Sequence, residues 1–195
     1  VFLRPDRVPQ MAVSKELINY GLQKYSVEIQ KKKIAFTALV PNEKGMEQAL
    51  VSQIKEIAFF TSATEAFAKS NINCSIEESF QRFTPLMKLA KKNKIKVRGY
   101  LSVVFGCPFE GAVDPNQAAN LVKKLLTMGC YEVSIGDTIG VATPFQVKEF
   151  LKILKRKKIP LSKIAGHFHD TRGTALANIL MCYQEGIRVF DSSVG

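Results

Sequence analysis

Short apolar, β-branched runs alternate along this chain with longer segments of helical periodicity, and that alternation restricts the fold more than any other feature. Parallel strands need a crossover of a dozen or more residues between them, so this order predicts a parallel sheet covered by helices. The strand candidates are Ile34 to Val40, Ile57 to Thr61, Val97 to Phe105, Glu132 to Gly136, Ile164 to His169 and Val189 to Ser193. Six strands in 195 residues is one βα unit per roughly 30 residues, the density of a (β/α)8 barrel of about 250 residues. The expected class is therefore α/β, a (β/α)8 barrel incomplete over these residues, with six of its eight strands, or seven if Val1-Phe2-Leu3 is the tail of another. A doubly wound open sheet shares the alternation, but no G-x-G-x-x-G turn follows an early strand. No linker or low-complexity segment interrupts residues 1–195, which read as one domain.

The helices carry start and stop signals. Ser75-Ile76-Glu77-Glu78 matches a capping box, in which the Ser hydroxyl and the Glu carboxylate satisfy free amides of the first turn, and predicts a helix from Ile76 to Lys92. Asp114-Pro115 and Thr143-Pro144 each set a capping oxygen before a proline at the first helical position. Gly129 and Gly186 stand where helices should end. Ser14 to Tyr25 reads as a further helix.

With 46% hydrophobic residues the chain can bury an ordinary core. No apolar run approaches the roughly 20 residues needed to span a bilayer, and no stretch has the layout of a signal peptide. The start at Val1 and the stop at Gly195, directly after a strand-like run, suggest a sequence cut at both ends. Cys74, Cys107, Cys130 and Cys182 are widely spaced, without a C-x-x-C pair, so they read as small buried hydrophobes in a reducing compartment. Cys107 is the expected exception, with an exposed thiol in the Gly106-Cys107-Pro108 loop. The formal charge of +11 raises the question of nucleic acid. The basic runs Lys31 to Lys33, Lys91 to Lys96 and Lys155 to Lys158 nevertheless fall between a helix and the next strand, where cations complement helix C-termini. They are read as solvated surface at the end of a barrel opposite its catalytic mouth, so neither a nucleic acid nor a membrane is expected as partner.

Both histidines of the chain, His167 and His169, stand at the end of one predicted strand. Side chains two apart share a face, so both imidazoles should project into the mouth while Phe168 turns out against helices. That geometry suits two ligands of one metal; the alternative is a pair of core or metal-free catalytic histidines. Two imidazoles are compatible with Zn, Mn, Fe or Co, and oxygen ligands from elsewhere would favour a hard ion such as Mg or Mn. Asp137, closing another strand, is a candidate general base, or alternatively a loop-capping Asp. Ser134 and Asp137 both reach the mouth only if the strand bends near Gly136. Arg98 and Tyr100 share a face of the third strand. A buried Arg needs an anion, which is either substrate or a structural carboxylate, and Tyr100 either binds substrate or is a core aromatic. Ser62, Thr64 and Glu65 follow another strand and Asn71 and Asn73 lead into the capped helix at Ser75; loops at this face commonly hold substrate, with turn chemistry the alternative reading of the Asn and Ser residues.

Taken together, Asn71-Ile72-Asn73-Cys74-Ser75-Ile76-Glu77-Glu78-Ser79-Phe80, Arg98-Gly99-Tyr100, Gly106-Cys107-Pro108-Phe109-Glu110-Gly111, Gly136-Asp137-Thr138-Ile139-Gly140 and His167-Phe168-His169-Asp170-Thr171 resemble the hydroxymethylglutaryl-CoA lyases of the DRE-TIM metallolyase superfamily. Val8-Pro9-Gln10-Met11 and Asp191-Ser192-Ser193 agree as well. The resemblance implies that His167 and His169 bind a divalent cation, Mg or Mn, that Asp137 acts in acid-base chemistry beside it, and that Asn71, Tyr100, Ser134 and Thr138 line the substrate pocket. The implied reaction is cleavage of 3-hydroxy-3-methylglutaryl-CoA to acetyl-CoA and acetoacetate, by a homodimer or other homo-oligomer, in the cytoplasm of a bacterium or in the mitochondrial matrix. The family's first-strand Arg-Asp pair and its later Gly-Gly-Cys-Pro loop and metal-binding Asn are not among these residues, so the resemblance places two of four protein metal ligands here. Related Claisen-condensing synthases and aldolases share the histidine pair, and an inactive barrel fragment or a basic binding module is the reading outside enzymes.

Overall fold

A computed structural model describes residues 13–193. Among them six strands hydrogen-bond in the order β1 (Thr37–Leu39), β2 (Glu56–Ser62), β3 (Lys96–Ser102), β4 (Glu132–Asp137), β5 (Ile164–Phe168) and β6 (Val189–Phe190). The β1/β2, β4/β5 and β5/β6 pairs are parallel. Helices α1 (Ser14–Lys24) and α2 (Ser26–Gln30) precede β1, and at least one helix separates every pair of consecutive strands: α3 (Glu43–Val51), then α4 (Glu65–Ile72) and α5 (Ile76–Lys92), then α6 (Pro115–Met128), α7 (Pro144–Arg156) and α8 (Ala175–Glu185). Strand order follows chain order without the reversal that defines a doubly wound sheet, so the α/β repeat is that of a partial (β/α)8 barrel, as expected. The Val1-Phe2-Leu3 and Val8-Pro9-Gln10-Met11 segments lie outside the described residues.

The chain divides into two compact units, one of residues 13–59 with Gln81–Arg98, the other of Phe60–Phe80 with residues 99–193. In the first, Ala38, Met46, Ala49, Ile54, Ile57 and Phe59 are buried. Phe83, Leu86 and Ala90 of α5 recur at helical spacing and are buried too, with Phe83 stacked on Phe59 at 4.8 Å between ring centroids. Pro85 lies inside α5 but on its exposed face, where water replaces the hydrogen bond that proline cannot donate.

In the second unit every residue of β4 is buried. The caps read from sequence are present: Asp114 accepts from the Asn116 amide at 2.9 Å, Thr143 and Gln146 form a reciprocal capping box, and Ser75 and Glu78 do the same at the head of α5. Gly129 and Gly186 end α6 and α8 in the left-handed conformation. The basic runs fall where expected, Lys91 and Lys92 in the last turn of α5 and Lys155 and Arg156 in that of α7.

Three expectations are corrected. β3 stops at Ser102 rather than Phe105 because Val103 turns left-handed, at φ 53°, and its amide donates to the Thr138 hydroxyl at 2.8 Å before Val104 returns to the Gly136 carbonyl. The stretch after β2 is not a loop: Glu65–Ile72 is helix α4, so Asn71 sits on a helix and Asn73 is its left-handed C-cap. Cys107 is not exposed. Reciprocal backbone bonds to Gly111 fold its loop over, leaving the residue 3% accessible, with its sulfur accepting from the Thr64 hydroxyl and the Phe109 amide.

All four cysteines are buried and free. Burial pushes the thiols of Cys130 and Cys182 up to about 12, the Glu185 charge adding to the effect at Cys182. At pH 8 both should resist iodoacetamide in the folded protein and react on unfolding, as peptide mass mapping would read. Replacing Thr143 with Ala removes the α7 capping box and should lower stability by ~1 kcal/mol, seen as a reduced denaturant midpoint at constant slope.

Candidate metal and substrate site

The C-terminal ends of β4, β5 and β6 assemble the site, all within the second unit. In the β4/β5 register Gly136 lies opposite His167 and Asp137 opposite Phe168. One residue past β5, the His169 amide donates to the Asp137 carbonyl at 3.3 Å. The two imidazoles share a face as the period-two argument requires, and their Nε2 atoms are 3.2 Å apart. Phe168 points the other way, with its ring 5.9 Å from that of Phe105, which in turn packs edge-on against Phe150 of α7. Tyr100 on β3 meets His167 edge to face, at 6.2 Å between centroids.

On its other side His167 is held by Asp191, one residue beyond β6, whose Oδ2 lies 3.0 Å from Nδ1. The same carboxylate oxygen accepts from the Ser134 hydroxyl at 2.7 Å. Ser134 therefore has a different placement from the substrate-lining one expected of it: it has no accessible surface, and its hydroxyl is engaged by Asp191. Sequence reasoning gave Asp191 no role of its own. Its signal was an acid just past a short strand whose register, Gly166 opposite Phe190, puts the next residue beside His167.

Asp137 is fully buried. Its Oδ1 accepts from the Val141 amide at 2.9 Å and its Oδ2 from the Ala142 amide at 3.0 Å, the geometry of the loop-capping alternative. Both oxygens face backbone donors rather than the histidine pair. The loop it organises interlocks with the one after β5. Gly140 adopts φ +61°, and a Cβ there would fall 2.8 Å from the His169 carbonyl oxygen and from Thr171, while Arg172 donates to the carbonyls of Ile139 and Gly140. Thr138 is half-buried and fixes Val103 through its hydroxyl. Asn71 is exposed on α4. Arg98 is buried on β3 and belongs to the first unit. The structure thus brings together Tyr100, Ser134, His167, His169 and Asp191, and leaves Asn71 outside their hydrogen bonds.

The donor set fits a metal ion. Two nitrogens held at about 2.1 Å from one ion lie about 3.0 Å apart at right angles and about 3.4 Å apart in a tetrahedron, and the observed 3.2 Å falls between. The carboxylate behind His167 is the outer partner such ligands commonly have. Among the described residues no cluster of three or more His, Cys, Asp or Glu is placed to hold an ion.

Residues 19–195 match the HMGL-like family. The chain belongs to that family. It is 48% identical over 193 residues to the 3-hydroxy-3-isohexenylglutaryl-CoA/hydroxymethylglutaryl-CoA lyase of Pseudomonas aeruginosa, covering 99% of this chain and 62% of that one. The human mitochondrial hydroxymethylglutaryl-CoA lyase is also 48% identical, with 99% and 57% covered. Among solved structures, the hydroxymethylglutaryl-CoA lyase of P. aeruginosa superposes with a TM-score of 0.91 over 99% of this chain and 62% of that one. That of Acinetobacter baumannii, in complex with coenzyme A and 3-methylmalate, is 28% identical and gives 0.86, with 99% and 60% covered. The chain thus spans about three fifths of the length of these HMGL-like relatives.

Replacing Gly140 with Ala forces a left-handed alanine against the His169 carbonyl and should cost about 2 kcal/mol or more. We expect a lower unfolding midpoint together with weaker Mn binding in calorimetric titration; intact metal affinity would show that the loop does not set His169.

Proposed function

We propose that the protein containing this chain is a divalent-metal-dependent lyase that cleaves 3-hydroxy-3-methylglutaryl-CoA to acetyl-CoA and acetoacetate. The carrying observation is the convergence of His167 Nε2 and His169 Nε2 at 3.2 Å at the C-terminal end of a parallel strand, the end at which barrel enzymes build their sites. Relatives named for this reaction, close in sequence across nearly the whole chain, support the choice of substrate, and a neighbour holding coenzyme A supports an acyl-CoA as ligand.

His167 and His169 would hold Mg or Mn, and the ion supplies Lewis acidity that makes the substrate's tertiary hydroxyl easier to deprotonate. Once that proton leaves, the carbon-carbon bond breaks and the thioester enolate takes up a proton. Tyr100 packs edge-on against His167, and the family resemblance assigns it to the substrate pocket. Asp137 contributes by holding the loop against which His169 is set, rather than by exchanging protons, since both its oxygens accept from backbone amides. Asn71 and Thr138 remain assigned to substrate binding by family resemblance, Arg98 by its place on the Tyr100 face of β3, and the remaining metal ligands come from elsewhere in the protein.

The intact protein should release acetoacetate from hydroxymethylglutaryl-CoA only with added Mg or Mn. His167→Ala and His169→Ala should each reduce metal affinity by more than the roughly 10–100-fold typical of losing an outer partner. Vigorous cleavage by either variant after exhaustive chelation would reject the assignment.

A further inference from the structure

We propose that Asp191 is a positioning residue that locks His167 in the Nδ1-protonated tautomer, so that Nε2 presents its lone pair to the ion; the proposal rests on the metal-dependent reading above. A carboxylate oxygen only accepts. Asp191 Oδ2 lies 2.7 Å from Ser134 Oγ and 3.0 Å from His167 Nδ1, so the serine O–H and the imidazole Nδ1–H are the donors. In the neutral ring Nε2 is then unprotonated, and the 3.2 Å gap to His169 Nε2 is closed by the His169 proton.

The network has a direction. Ser134 donates to Asp191, His167 donates to Asp191, and His169 donates to His167. A histidine free of such a partner distributes its proton over both nitrogens, and the fraction protonated at Nε2 is unable to bind through that atom.

The backbone makes this arrangement stiff. The Asp191 amide donates to the Gly166 carbonyl at 2.9 Å, one residue before His167, so the carboxylate and the ring are carried by adjacent rungs of one ladder. Ser134 is fully buried on β4 and pins the carboxylate from a third strand. Neither Ser134 nor Asp191 needs to touch the ion or the substrate for this role.

The test uses the intact protein, metal-free and labelled with 15N-histidine. Long-range proton-nitrogen correlation should show His167 protonated at Nδ1 and bare at Nε2. In Asp191→Ala that preference should be lost and Mn affinity should fall by about 10–100-fold, with circular dichroism unchanged. Ser134→Ala should move both readouts the same way by less than about tenfold. If Asp191→Ala does not fold, Asp191→Asn and Ser134→Ala carry the same comparison. Folded variants that keep the wild-type tautomer and bind Mn within about twofold of wild type overturn the proposal. Failure of the metal-dependent reading looks different: Mn binding would then survive His167→Ala and His169→Ala, whatever the tautomer of His167.

Discussion

The parallel pairing of β4 with β5 is the constraint from which the site follows. Its register sets Gly136 beside His167, and its last hydrogen bond, from the His169 amide to the Asp137 carbonyl, carries the ladder one step past the strand. A slip of one residue would send both imidazoles to the helix side and bring Phe168 into the mouth. The register is held by complete burial of β4, by the packing of Phe168 with Phe105 and Phe150, and by the interlocked loops at Gly140 and Thr171. β6 adds its own rung at Gly166, which delivers Asp191.

What the sequence made legible was whatever depends on local period or local capping. The α5 boundaries, the caps at Asp114 and Thr143, and the terminating glycines at 129 and 186 follow from chemistry within a few residues and appear as read. The histidine pair was legible for the same reason: period two needs no knowledge of the rest of the fold. Ser134, Asp137 and Asp191 were harder, because their hydrogen bonds span strands or a loop path. Whether Asp137 faces a substrate or the amides of Val141 and Ala142 depends on how the backbone turns after Gly136, and the residue types allow both. Cys107 misled because Gly106 and Pro108 mark a loop, while the backbone bonds that fold that loop shut run to Gly111, four residues on.

Two residues show how the same mouth is shaped from behind. Val103 is β-branched, fully buried and left-handed, a combination that costs of order 1–3 kcal/mol and persists only where its surroundings impose it. The Thr138 hydroxyl meets the Val103 amide that β3 would otherwise present to its neighbour. Strand β3 therefore ends abruptly and the following loop leaves in a fixed direction, toward the Cys107 to Gly111 bridge and the contact of Glu110 with the α4 amide of Ala66.

That bent valine also bears on how such a protein is engineered. A glycine at 103 would relax the turn but forfeit a fully buried side chain and leave a cavity behind it, and the same exchange loosens the exit angle of an entire loop. Consensus-style improvement is better spent on the exposed faces of the outer helices, where side chains answer only to solvent.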